Sequence, residues 1–167
     1  IGSLGNIRPA KAYDMLLRAA AMLKGGPVKY RFVIAGQGKN ELYDTLLKLK
    51  AELRLDDSVY FLGFIEDPAG FLANLDLFLL SSISEGFPLA IIQAMAAKIP
   101  VIVTRSGGPE EIVTHGQTGW LVTAGSPRAI ADAIDKLAAD RALRERLAEN
   151  GREHATHTFS SDAMLTA

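Results

Sequence analysis

The sequence predicts an α/β domain: a doubly wound parallel sheet of about six strands, Rossmann-like, with helices on both faces. Three observations carry that expectation. Short apolar runs recur along the chain, namely IGSLG, RFVIAG, VYFLG, DLFLLSS, PVIVT and WLVT. They are continuous rather than alternating, as in strands covered on both faces. Segments of helical period separate them, which is the alternation of a parallel sheet with right-handed crossovers.

The elements follow in order. Behind IGSLG, the residues Tyr13, Leu16, Leu17, Ala20 and Leu23 form an apolar stripe at helical spacing. RFVIAG is followed by a second stripe at Leu42, Leu46, Leu49 and Leu53. After VYFLG and DLFLLSS comes a stretch in which every side chain from Pro88 to Ala97 is apolar except Gln93. A helix apolar on all sides is expected to be buried. PVIVT and WLVT are the last strands, and Ile130, Ile134 and Leu137, then Leu143 and Leu147, mark two more helices. Residues 1–155 are expected to form the domain, with 156–167 a tail that begins a further crossover helix. Ile at position 1 and the ending HTFSSDAMLTA read as the ends of a domain taken from a longer chain.

Composition narrows the function. A length of 167 residues allows one domain with a real core. The net charge of −1 gives no basic surface, so no nucleic-acid partner is expected. The chain has no cysteine, which removes disulfide frameworks and thiolate metal sites. Its three histidines are scattered at 115, 154 and 157, so no metal is expected. The longest apolar run, FLANLDLFLL, is broken by Asn74 and Asp76 and is too short for a bilayer. No signal peptide is visible, and the expected compartment is the cytoplasm. Any membrane association is expected to come through a domain outside this chain.

In doubly wound sheets, ligands sit outside the carboxyl ends of the strands. The loops there are GNIRPAK, GQGKNE, GFIEDP, SSISEGFP and TRSGGPEE. Gly36-Gln37-Gly38 has Glu41 where a dinucleotide fingerprint needs its third glycine, and it follows the second strand. A nicotinamide cofactor is therefore disfavoured, and a tight turn explains the pair equally well. Pro109, Glu110 and Glu111 suit a helix start, while Gly107 and Gly108 leave room for a ligand or another backbone. Lys11 is either a solvated lysine or half of an anion pocket at a helix N-terminus. Glu85 is either a cap or, with Gln93, one of two polar groups flanking the turn after Pro88, where first-turn amides are free.

The stretch SSISEGFPLAIIQAMAAKIPVIVTRSGGPEEIV resembles the C-terminal, donor-binding half of retaining glycosyltransferases of the GT-B fold, the group 1 family. The signature is a serine-containing strand end, E-G-F, a second glutamate position eight residues after the first, and A-M-A. GNIRPAK, GQG, FLGFIED, GGPEEIV and HGQTGWLV extend the match over nearly the whole chain in order. The resemblance implies transfer of a sugar from a UDP-, GDP- or ADP-sugar to an acceptor hydroxyl with retention, without a cofactor. It implies that Lys11 and Glu85 are catalytic, Lys11 neutralising the diphosphate. Gly36 and Gly38 would let their loop pass close to the nucleotide, and backbone at Phe64 and Ile65 would read the base. Glu85, with the backbone of Gly86, Phe87, Pro88 and Leu89, would hold the sugar hydroxyls and phosphate. Gln93 would face the ribose, and Gly107 and Gly108 would join the donor site.

Three positions depart from the family pattern: Asn6 stands for its arginine, Ala12 for its glycine and Gln93 for its second glutamate. The first leaves Arg8 as the cation able to reach the diphosphate. The acceptor site is expected on a preceding N-terminal domain, so that this part alone is inactive. Two alternatives share the fold: a non-catalytic nucleotide-sugar-binding module, and an epimerase or phosphorylase. The lysine motif by which phosphorylases carry pyridoxal phosphate is not apparent here.

Overall fold

The structure, a computed structural model, describes residues 1–38 and 41–159. Six parallel strands form one sheet in the order β3-β2-β1-β4-β5-β6. They are β1 (Gly2–Leu4), β2 (Phe32–Ala35), β3 (Val59–Gly63), β4 (Phe78–Leu80), β5 (Val101–Arg105) and β6 (Trp120–Thr123). The helices are α1 (Tyr13–Leu23), α2 (Glu41–Glu52), α3 (Pro68–Ala73), α4 (Leu89–Ala96), α5 (Pro109–Ile112), α6 (Pro127–Ala139) and α7 (Arg141–Thr158). A 3-10 turn, Pro9–Lys11, precedes α1. The strand order reverses between β1 and β4, so their carboxyl ends open a crevice at the switch point.

Side-chain alternation along the strands builds two cores. Phe32, Ile34, Leu79, Ile102 and Val122 pack with Leu16 and Leu17 of α1, Leu46 of α2 and Ile130, Ile134 and Leu137 of α6. Phe78, Leu80, Val101, Val103 and Leu121 face the other way, onto Leu72, Ile91, Met95 and Ile112. Each fully buried Leu, Ile or Phe contributes about 1.5–3 kcal/mol. Helix starts are sealed by side chains: Asp67 Oδ1 accepts from Gly70 N at 2.9 Å, and Ser126 Oγ from Ala129 N at 3.2 Å.

Two expectations change. VYFLG is not covered on both faces, because β3 is an edge strand and its Tyr60 and Leu62 are exposed. The division drawn after residue 155 falls inside α7. That helix makes the crossover itself: Leu143 and Leu147 belong to one core and Ala155 to the other. Residues 160–167 of the expected tail lie outside the described residues.

Ala12 joins the 3-10 turn to α1 with φ 45° and ψ 48°, the left-handed region. An L-residue there costs about 1–2 kcal/mol, which glycine avoids. Glycine returns part of that gain through unfolded-state entropy. Ala12→Gly is expected to raise the unfolding free energy by about 0.5 kcal/mol, measured by urea denaturation. A loss of stability would mean that the buried methyl outweighs the strain.

Candidate functional site

Lys11 and Glu85 are far apart in sequence, but β1 and β4 are neighbours, and the loops after them meet. Lys11 Nζ lies 2.7 Å from Glu85 Oε1, with both side chains mostly buried, at 18% and 13% exposure. The loops are also joined through the backbone, where Ile83 N donates to Ala10 O at 2.8 Å. Ser81 Oγ donates to Lys11 O at 2.9 Å, and Ser82 Oγ donates to Glu85 Oε1 at 2.5 Å. Tyr13, two residues after Lys11, donates its hydroxyl to Gly5 O at 2.7 Å. Burial pushes that hydroxyl up to about 12, so it stays a neutral donor.

Glycines let adjoining loops touch. A Cβ on Gly36 would sit 2.0 Å from Gly5 O, and one on Gly38 would sit 2.5 Å from Ile7 Cδ1. The GQG loop is thus folded onto the loop after β1. Asn6 joins them, its Oδ1 accepting from Gln37 N at 3.0 Å. Arg8 is exposed, with no ion pair among the described residues.

The loops after β4 and β5 approach in the same manner. Gly108 N donates to Glu85 O and Glu85 N to Ser106 O, both at 2.9 Å. Gly107 N donates to Glu110 Oε2 at 3.0 Å. The amides of Gly107 and Gly108 are therefore engaged within the protein; Gly108 is buried against the Gly86 backbone, while Gly107 is exposed. Pro88 is the buried N-cap residue of α4 rather than its first helical residue. Beyond it the helix is not buried all round: Leu89, Gln93 and Ala96 are exposed, a stripe at i, i+4 and i+7. Gln93 is therefore not a core amide. Gly86 is exposed, and so is Phe87, whose ring meets Phe159 edge-on at 5.8 Å between centroids.

Phe64 is 67% exposed and Ile65 half-buried, both just past β3. Two strands, β2 and β1, separate β3 from β4, so this end lies roughly 14 Å from Glu85 by strand spacing. The site is an open edge. Concavities of about 410 Å³ beside Leu23, Lys24 and Phe32 and about 650 Å³ beside Leu75, Lys98 and Glu149 lie at the amino ends of the strands, away from the Lys11–Glu85 pair. Ser81 and Ser82 stand in the sequence as the serine-containing strand end of the family signature, with no individual role, and Thr104 inside an apolar strand carries no periodic signal. Tyr13 is legible there only as part of an apolar stripe.

The Glycosyl transferases group 1 family matches residues 1–154. The chain belongs to the group 1 glycosyl transferases. It is 35% identical over 165 residues to the lipopolysaccharide core biosynthesis glycosyltransferase LpsE of Rhizobium meliloti (strain 1021), spanning 99% of this chain and 47% of that protein. To the N-acetyl-alpha-D-glucosaminyl L-malate synthase of Bacillus anthracis it is 33% identical, over 98% of this chain and 42% of that one. This group 1 glycosyl transferase chain thus spans about half the length of the curated relatives it matches. Among solved structures it is similar to Anabaena Alr3699/HepE in complex with UDP and glucose, with TM-score 0.90 and 26% identity, covering 98% of this chain and 46% of that one. It is also similar to the C-terminal domain of a group 1 family protein, LpcC, from Francisella tularensis, with TM-score 0.86 and 32% identity, over 96% of this chain and 85% of that one. The fold is the one these GT-B structures share. No helix among the described residues is long and apolar enough to cross a membrane.

Proposed function

We propose that this domain binds a nucleotide-sugar donor and that the whole protein transfers the sugar to an acceptor hydroxyl with retention at the anomeric carbon. The observation that carries the reading is the Lys11–Glu85 pair at the switch-point edge of the sheet. An ammonium has three donors, and Glu85 takes one, which leaves two for a diphosphate. The departing diphosphate gains negative charge as the sugar gains oxocarbenium character, and fixed charges aimed at both lower the barrier. Lys11 serves the first, and Glu85 serves the second by accepting from sugar hydroxyls beside the developing cation. The nucleoside would extend along the edge over Gly36 and Gly38 toward Phe64 and Ile65, with Leu89 and Gln93 on the open face of α4 and Phe87 just ahead of that helix. Asn6, held by Gln37, replaces none of an arginine's charge, and Arg8 is the free cation nearest in sequence. The UDP and glucose in the Anabaena structure support a nucleotide-sugar donor.

The acceptor would be held by a preceding domain of the same polypeptide, which would also carry any contact with the inner face of a cytoplasmic membrane. The sheet and its helices through α7 would be the donor half. Proximity needs both reactants held together, so this domain alone is expected to bind nucleotide without transferring sugar. The test is calorimetry of the domain with UDP-, GDP- and ADP-sugars and the bare diphosphates, then NMR of the product made by the full-length protein. Binding of one nucleotide class and a product with the donor's anomeric configuration are expected. Failure to bind any of them, or an inverted product, would overturn the reading.

A further inference from the structure

Ser82 lies two residues past the end of β4 and is fully buried. Among the described residues its hydroxyl has one acceptor, Glu85 Oε1 at 2.5 Å. That oxygen is also the one 2.7 Å from Lys11 Nζ, and Oε2 of Glu85 has no partner among the described residues. Ser82 is itself pinned, because its carbonyl accepts from the Thr104 hydroxyl at 2.5 Å, and Thr104 is fully buried on β5. A β5 side chain therefore holds the backbone of the residue whose hydroxyl meets Glu85.

We propose that Ser82 is a positioning residue that fixes the carboxylate of Glu85, committing one oxygen to the protein and leaving the other for the donor sugar. The proposal rests on the role given to Glu85 above. Lys11 alone is a poor holder, since its ammonium is a point charge on a flexible stem and in that role must also meet the diphosphate. A glutamate has three side-chain torsions to lose. The buried hydroxyl supplies directional restraint that remains when Lys11 shifts toward phosphate. Ser81 serves the partner, tying the Lys11 carbonyl to the same strand end.

The experiment uses the full-length protein and the sugar nucleotide returned by the screen above. Ser82→Ala is expected to lower kcat roughly 10- to 100-fold, the scale of an ångström-sized misplacement. Affinity for the sugar nucleotide falls several-fold, while that for the bare nucleoside diphosphate stays within about twofold of the parent. In a Glu85→Ala background, Ser82→Ala adds no further loss of sugar-nucleotide affinity. Ser82→Cys keeps the shape with a weak donor and gives the same pattern, which covers an alanine variant that fails to fold. Unchanged kcat in a folded Ser82 variant overturns the proposal. So does an equal loss in both backgrounds, or a parallel loss of nucleoside diphosphate affinity, because each describes a merely structural serine. If Glu85→Ala leaves transfer intact, the reading of Glu85 itself falls, an outcome distinct from a Glu85-dependent enzyme indifferent to Ser82.

Discussion

Gly108→Ala is expected to cost about 3 kcal/mol of stability, the upper part of the range for overpacking, and to abolish nucleotide binding with it. The cause is steric. Gly108 has φ −51°, which any residue adopts, but its Cβ would fall 1.4 Å from Gly86 O and 2.4 Å from Gly86 C. Backbone cannot rotate aside as a side-chain end does, so the loops after β4 and β5 must part. Parting them breaks the bond from Gly108 N to Glu85 O, and with it the placement of Glu85. For a chain of this size the loss corresponds to a fall of roughly 6–12 °C in Tm. Gly116→Ala is the control, since Gly116 has φ 73° and nothing within 4 Å of its Cβ. It should cost only the left-handed backbone term of about 1 kcal/mol. Urea denaturation of both variants separates them, and equal, small losses would show that the two loops are not as closely joined as their geometry requires.

What could be read from the sequence followed from periodicity, and what could not followed from strand order. Strand–helix alternation predicts a parallel sheet and places Lys11, Gly36, Phe64, Glu85 and Gly107 on one edge, because each follows a strand. It does not say that β1 lies beside β4, and without that adjacency Lys11 and Glu85 each look like an ordinary surface charge. β3 misled because an edge strand can be as apolar as a central one, with Tyr60 and Leu62 left uncovered. α4 misled differently. Its exposed stripe consists of a leucine, a glutamine and an alanine, so two of three positions read as buried, and Gln93 was the letter that marked the open side. The family pattern marks position 12 as a glycine, but the cause, a left-handed backbone at φ 45°, is legible only in the structure. Ser82 is legible as a letter of the family signature, but its task is hidden until its acceptor, Glu85 Oε1, is found.

Lys11→Ala is expected to weaken nucleoside diphosphate binding by about 1.5–3 kcal/mol, or roughly 10- to 100-fold, the range for bonds to charged groups. Seen as a free surface lysine it would leave stability alone, but the structure predicts otherwise. Removing it strands the Glu85 carboxylate at 13% exposure with Ser82 as its remaining partner among the described residues. Breaking a fully buried pair costs about 3–5 kcal/mol and an exposed one under about 1. This pair stands between, so a loss of about 1–2 kcal/mol is expected. The lysine stem also packs on the backbone, since a Cβ on Gly5 would lie 2.8 Å from Lys11 Cε. Lys11→Met keeps most of that stem and removes the charge. Both variants should lose nucleotide affinity equally, and the methionine should retain more stability. Calorimetry and thermal melting on the two proteins resolve the roles. Lowered Tm with unchanged affinity would leave Lys11 a mere strut for Glu85 and remove the diphosphate from its side of the site.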